Sequence, residues 1–249
     1  MLDGSIKTMR SIWPDNDVVD EPLWRYFKPE RFLASVHSRT LYFSSARQFQ
    51  DPFEGAVAVL PHDTPVDPRY AQPEGAEKAF EELRRLTKIS CWHRAEYESD
   101  AMWKLYAATR KGVAVRTTTE RLRRALLPFR LAPQYGEEEP YWGPVRYVDL
   151  HRERLRVSME RRFFYKHRAF EWEREFRVAI SVRMAEEFGV AVPEQGIDVA
   201  FDPALLIEAV YLGPALTEAE RTRLREVCGD AGLRCQFVTS TLLGQPRYT

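Results

Sequence analysis

The sequence predicts an α+β protein, and three observations carry that reading. Strand-like and helix-like segments are intermixed without alternating units of equal size. No internal repeat, glycine-rich phosphate loop or low-complexity tract is visible. The chain has 249 residues, 44% apolar and 30% charged, which is the make-up of an ordinary folded protein able to bury a sizeable core. We expect a single domain over residues 21–249, preceded by a weakly ordered arm over residues 1–20.

The elements follow in order. Leu23 to Phe27 is a short apolar strand. Pro29 then suits the first turn of a helix that sets Phe32, Leu33 and Val36 on one side. Leu41 to Ser44 is a second strand, followed by a loop from Phe49 to Gly55. Prolines and charges mark Pro61 to Gly75 as a surface excursion and a candidate flap. An amphipathic helix, Ala76 to Leu86, leads into a strand from Lys88 to Trp92. Asp100 is placed to cap a helix running to Ala108. Val113 to Arg116 is a strand, and Arg121 to Leu127 a helix ended by Pro128. Pro133 to Pro144 reads as an acidic loop and Val145 to Val148 as a strand.

A long helix is expected from Leu150 to His167, because Leu155, Met159 and Phe163 repeat at four-residue spacing. From Trp172 onward the pattern alternates, placing Phe176, Val178 and Ile180 on one face of a strand and Glu173, Glu175 and Arg177 on the other. A helix at Met184 to Phe188 and strands at Ile197 to Phe201 and Ala209 to Leu212 follow. Thr217 with Glu220 forms a capping box for a helix to Cys228, and Leu233 to Thr239 is the last strand.

Charge gives no overall pull toward a partner, although Arg121, Arg123 and Arg124, and the arginines from Arg152 to Arg162, leave room for a local basic groove. Lys plus Arg and Asp plus Glu both number 37, so no net field draws the chain to nucleic acid or to a membrane. No run of 18 apolar residues exists, and the N-terminal stretch lacks the apolar segment of a secretion signal. Cys91, Cys228 and Cys235 are odd in number and widely spaced. That suits reduced thiols in the cytoplasm and gives no structural zinc pattern.

The order of short motifs resembles the bacterial domain-of-unknown-function family numbered 2971, over roughly Leu23 to Gly213. The resemblance rests on Leu23 to Tyr26, on Leu41 to Ser44 with Phe49 to Glu54, and on Ser90 to Trp92 with Met102 to Ala107 and Lys111 to Val113. It extends to Lys166, Phe170, Glu173, Glu175 and Arg177. More distantly the chain is similar to the ADP-ribosyltransferase plan, in which two small split sheets, mixed or antiparallel and flanked by helices, hold NAD in a cleft. That resemblance implies Arg25 as the anchor of the dinucleotide, Ser44 at the end of the second strand, and Glu175 or Glu173 as the catalytic acid. It implies NAD as substrate, with an acceptor, protein or nucleic acid, that the sequence leaves open, and a setting in toxin or phage-defence biology.

The residues carry alternatives of their own. Two carboxylates roughly 7 Å apart on one strand face repel unless a cation or ligand lies between them, which is how a carboxylate is tuned for acid–base work. Glu175, deeper in the strand, is better placed than Glu173. Tyr26, Tyr42 and Tyr106 are candidates to stack on a ring or simply to pack. Asp51, fixed in an extended turn by Pro52, either caps neighbouring amides or projects with Glu54 into a cleft beside Arg25 or Arg177. Asp51, Glu173 and Glu175 are alternatively a ligand set for a divalent cation in phosphodiester cleavage, although Arg177 cannot act as a base. A third possibility is a non-catalytic protein- or nucleic-acid-binding module using an arginine-rich helix from His151 to Arg162. Trp103 reads as a core anchor, and His93, directly after a strand end, either belongs to a site or is a lone exposed histidine, the commoner case.

Overall fold

A computed structural model describes residues 9–13, 19–58, 76–246 and 248. It is a mixed α+β fold built on one large sheet with parallel and antiparallel pairs. The strands are β1 (Arg10–Ser11), β2 (Pro22–Phe27), β3 (Thr40–Ser45), β4 (Thr87–Arg94), β5 (Val113–Thr118), β6 (Tyr141–Pro144), β7 (Arg146–Val148), β8 (Tyr165–His167), β9 (Glu175–Ser181), β10 (Gly196–Ala200), β11 (Ala209–Leu212) and β12 (Gln236–Thr239). The helices are α1 (Pro29–Ser38), α2 (Ala76–Leu86), α3 (Asp100–Tyr106), α4 (Thr119–Ala125), α5 (Arg183–Glu187), α6 (Pro203–Leu206) and α7 (Glu218–Asp230). Ten strands join in the order β1-β6-β9-β4-β2-β5-β11-β12, with β3 and β10 branching from β4, while β7 and β8 pair separately.

The branch is the feature that positions the site. One edge of β4 pairs with β9 from Thr87↔Ser181 to His93↔Glu175. Its other edge is shared: β3 takes the start, through Ser44↔Ile89 and Ser45↔Lys88, and β2 takes the end, through Leu23↔Arg94 and Trp24↔His93. Between these pairings β2 and β3 diverge, leaving an open fork beside Ser90, Cys91 and Trp92. Instead of the two separate small sheets expected, ten of the described strands form one continuous sheet that splays, and β7 and β8 stand apart as a pair.

Alternation along each strand divides the interior. Leu23, Phe43, Trp92, Val115, Phe176 and Val178 lie in the main core, closed by Phe32 and Val36 of α1. Trp24, Tyr26 and Ala114, on the opposite pleat, pack against Trp103 and Ala107. Trp103 is the expected core anchor, fully buried with its Nε1–H donating to Glu98 Oε2 at 2.8 Å.

Several elements differ from expectation, each for a local reason. The stretch Leu150 to His167 is no long helix. It is mainly irregular, with a 3₁₀ turn at Arg161–Phe164 followed by β8. Leu155 N–H donates to Val57 O at 2.8 Å, and Met159 is exposed while Phe163 and Phe164 are buried, so the chain docks as a strap. The arginine-rich helix proposed to read nucleic acid therefore does not form. Residues 9–13 are not a loose arm: β1 pairs in parallel with β6, and Ile12 and Trp13 are buried. The acidic loop from Pro133 ends earlier than expected, because Tyr141–Pro144 pair with β9. Ser99, not Asp100, caps α3, while Asp100 pairs with Arg110. Thr118 caps α4, starting that helix two residues early. The capping box at Thr217 and Glu220 is present. The expected flap, Pro61 to Gly75, lies outside the described residues. Among the described residues no helix is long and apolar enough to cross a membrane.

Candidate functional site

The fork opens into a cleft of about 540 Å³. Eight of the nine residues singled out from sequence line it: Arg25, Tyr26, Tyr42, Ser44, Asp51, Tyr106, Glu173 and Glu175. The ninth, Arg177, lies behind the wall, with no exposed surface.

Glu173 does not belong to the strand. Arg168–Glu173 form a 3₁₀ turn, Arg174 adopts a left-handed conformation (φ 44°), and β9 begins only at Glu175. In a straight strand the two carboxylates would stand side by side and repel. The left-handed residue between them instead turns both toward Lys166, whose ammonium donates to Glu173 Oε2 and, at 2.6 Å, to Glu175 Oε1. Lys166 comes from β8 and also covers the Phe170 ring at 4.7 Å.

Behind them Arg177 donates from Nε to Glu175 Oε2 at 2.6 Å. It grips Glu54 through two bonds of 2.6 and 3.0 Å and reaches Phe163 O at 2.6 Å. Glu54, with no exposed surface, is thus a structural partner of Arg177 rather than a group in the cleft. Three carboxylates share two cations. Both oxygens of Glu175 are held, and although burial alone would raise its pKa, Arg177, Glu173 and Lys166 keep it well below the usual range. Glu173 is the member left short. Burial, and then the adjacent Glu175, push it up to about 7 against the pull of Lys166. Glu173, not Glu175, is therefore the carboxylate poised to exchange a proton near neutral pH. Tyr106 Oη donates to Glu173 Oε1 at 3.3 Å from the cleft side.

Arg25 reaches the cleft by a different route. It lies on the pleat opposite Trp24 and Tyr26, and its side chain fills the fork. Nη1 donates to Ser90 Oγ at 2.7 Å and Nη2 to Tyr42 O at 2.8 Å, with the guanidinium near the rings of Phe27 and Trp92. Burial lowers its pKa to about 10, and it has no carboxylate partner among the described residues. A half-buried cation without an anion is costly to hold, and this one lines a hollow. Tyr42 presents its ring, its hydroxyl donating to Gln48 Oε1 at 3.1 Å, while Gly196 runs beneath it; a Cβ there would lie 2.5 Å from the ring. Tyr26 packs against Trp103 and donates no bond into the cleft; its hydroxyl accepts from Ser99 N–H at 2.8 Å. Tyr26 is thus mainly structural.

Sequence reasoning missed two residues. His93 is buried, not exposed, and faces Glu175 across the β4–β9 pair. Its Nδ1 lies 2.6 Å from Glu173 O; with the proton on Nδ1, donated to that carbonyl, Nε2 is left as an acceptor. Burial lowers its pKa, so the ring is neutral. Lys166, seven residues before Glu173, carries no periodic signal in the sequence that would pair it with the two acids.

The divalent-cation reading loses its ligands, since Lys166 and Arg177 occupy both oxygens of Glu175. No cluster of three His, Cys, Asp or Glu side chains suited to a metal occurs among the described residues. A larger hollow of about 750 Å³ beside α2, lined by Phe80, Leu83, Met159 and Arg162, gathers no comparable set of acids. Compared with known proteins, the chain matches no family model, no curated protein and no solved structure.

Proposed function

We propose that this cleft binds NAD and cleaves its nicotinamide–ribose bond, passing ADP-ribose to water or to an acceptor hydroxyl. The observation that carries the reading is one hollow lined both by a guanidinium without a carboxylate partner among the described residues and by Glu173, a carboxylate that shares its single lysine with Glu175 and that burial pushes toward protonation. The first suits a pyrophosphate, because a fork-shaped donor set meets phosphate oxygens directly. The second suits a ribose. The ADP-ribosyltransferase plan, and membership of the family numbered 2971, belong to the same proposal.

The chemistry follows from the side chains. Arg25 holds the pyrophosphate, and the Tyr42 ring packs against a base or the nicotinamide. Ionised Glu173 accepts a hydrogen bond from the ribose 2′-hydroxyl and stabilises the positive charge that grows at the anomeric carbon. The leaving nicotinamide takes the electron pair of the broken C–N bond and departs neutral. As the attacking hydroxyl forms its C–O bond, its proton passes to Glu173, a transfer worth roughly 10²–10⁴-fold. Lys166 steadies Glu173 without neutralising it, because it is shared with Glu175. Free thiols at Cys91, Cys228 and Cys235 suit a reducing compartment such as the cytoplasm.

The test is nicotinamide release from NAD. The wild type is expected to turn over, with activity rising as pH passes about 7. Glu173→Gln should lower kcat by about 10²-fold or more while NAD still raises the melting temperature. A wild type that neither releases nicotinamide nor is stabilised by NAD overturns the reading.

A further inference from the structure

Asp51 enters the same cleft with half of its carboxylate unused. The residue is 6% exposed. Oδ1 accepts from Phe53 N–H at 2.9 Å and its carbonyl accepts from Glu54 N–H at 3.2 Å, so a tight turn fixes the side chain. Oδ2 is buried and has no partner among the described residues. Asp51 stands outside the ion-pair cluster, in which the carboxylates that Lys166 and Arg177 hold, among the described residues, are Glu54, Glu173 and Glu175. Nor does Arg25 serve it, being held by Ser90 and the Tyr42 carbonyl.

A buried carboxylate oxygen calls for a donor. The hollow that it lines also holds an unpaired guanidinium. A ligand that completes both groups carries an anion at one end and a hydrogen-bond donor at the other. A neutral hydroxyl fits better than an ammonium, which would bring a third cation beside Arg25 and Lys166. We propose that Asp51 Oδ2 is the acceptor for a ribose hydroxyl, so that the cleft selects 5′-phosphorylated ribosides over their deoxy counterparts. This deepens the nucleotide reading of the cleft and rests on it.

Asp51→Asn is the informative variant. Its Oδ1 can still accept from Phe53 N–H and keep the turn, while an NH₂ donor replaces the Oδ2 acceptor. Binding of ADP-ribose, AMP, 2′-deoxy-AMP and 3′-deoxy-AMP is measured by calorimetry for wild type and variant. For the wild type, loss of one hydroxyl is expected to weaken AMP binding about tenfold, roughly the worth of one hydrogen bond to a charged group. In Asp51→Asn, AMP binding should fall to the deoxy level and the distinction between AMP and that deoxy analogue should vanish. Asp51→Ser, which keeps a turn acceptor but not the carboxylate, serves the same purpose if the asparagine variant does not fold. A wild type indifferent to both hydroxyls, or a variant that still discriminates, overturns the assignment. If hydroxyl discrimination is present but NAD is not cleaved, the Asp51 assignment stands and the catalytic reading fails. Cleavage of NAD without discrimination removes Asp51 alone, and absence of binding by all four ligands removes both.

Discussion

Arg174 shows how much one backbone conformation decides. It is exposed and its side chain makes no bond into the cleft, yet its left-handed φ is what brings Glu173 and Glu175 to a shared lysine. A non-glycine residue there is strained by about 1–2 kcal/mol, whereas glycine adopts it freely and gives back about 0.5–1 kcal/mol in unfolded-state entropy. Arg174→Gly should therefore leave the unfolding free energy unchanged or raise it by up to about 1 kcal/mol, while Arg174→Val, β-branched, should lower it. Urea melts of the two variants check this. Glu173 gives a pH signature with a definite sign. Its folded pKa of about 7 lies above the ordinary 4.5, so between those values the native state holds a proton that the unfolded chain has released. Stability from this group is complete below about 4.5 and is lost as pH rises through about 7. Glu138, also raised to about 7 by burial, adds a slope of the same sign, and neutral His93 adds the opposite slope on acidification. The difference between wild type and Glu173→Gln isolates the single group: the variant should gain on the wild type as pH increases across that window.

At the scale of elements, the strands were largely legible because burial on alternate residues leaves a period-two pattern. β3 carries it plainly, whereas β9, buried on both faces, and the short β5 and β11 were legible as apolar runs between turns. The same logic misled at two places. Leu155, Met159 and Phe163 repeat at helical spacing, but the strap from residue 150 is anchored by long-range bonds to Val57 and Ile12, which no local period encodes. Glu173 and Glu175 alternate as strand residues do, and only the conformation of Arg174 breaks the register. The cleft residues were identifiable by type, since unusual charges sat beside apolar strands. Their division of labour was not, because it depends on which cation reaches which acid. The fork itself is sustained by close packing at strand ends. At Gly112, where the chain turns into β5, a Cβ would lie 2.2 Å from Phe27 O and 2.6 Å from the Ala107 Cβ. Backbone cannot retreat cheaply, so Gly112→Ala should cost about 1–3 kcal/mol or more and lower the thermal midpoint, while Gly136→Ala, with open space around it, should not.

Across the whole molecule the charges cancel, 37 against 37, so attraction of an anionic ligand must be local to Arg25 rather than a property of the surface. The sheet is finished at one edge by β1, whose neighbours Ile12 and Trp13 are buried. Trp13 Nε1–H donates to Pro144 O at 2.9 Å, and the Arg146 guanidinium lies 3.7 Å from the Trp13 ring centroid. Removing residues 1–13 exposes the free edge of β6 and gives up two large apolar side chains, each worth about 1.5–3 kcal/mol when fully buried. The truncated chain should melt earlier and self-associate through the bare edge, as light scattering would register.

The opposite edge is finished by β12, parallel to β11, so the strands nearest the two chain ends are also the outermost strands of the sheet. Seven strand spacings separate them, roughly 34 Å along a flat sheet and less across a twisted one. A pair of dyes at positions 10 and 239 would measure the breadth of the sheet.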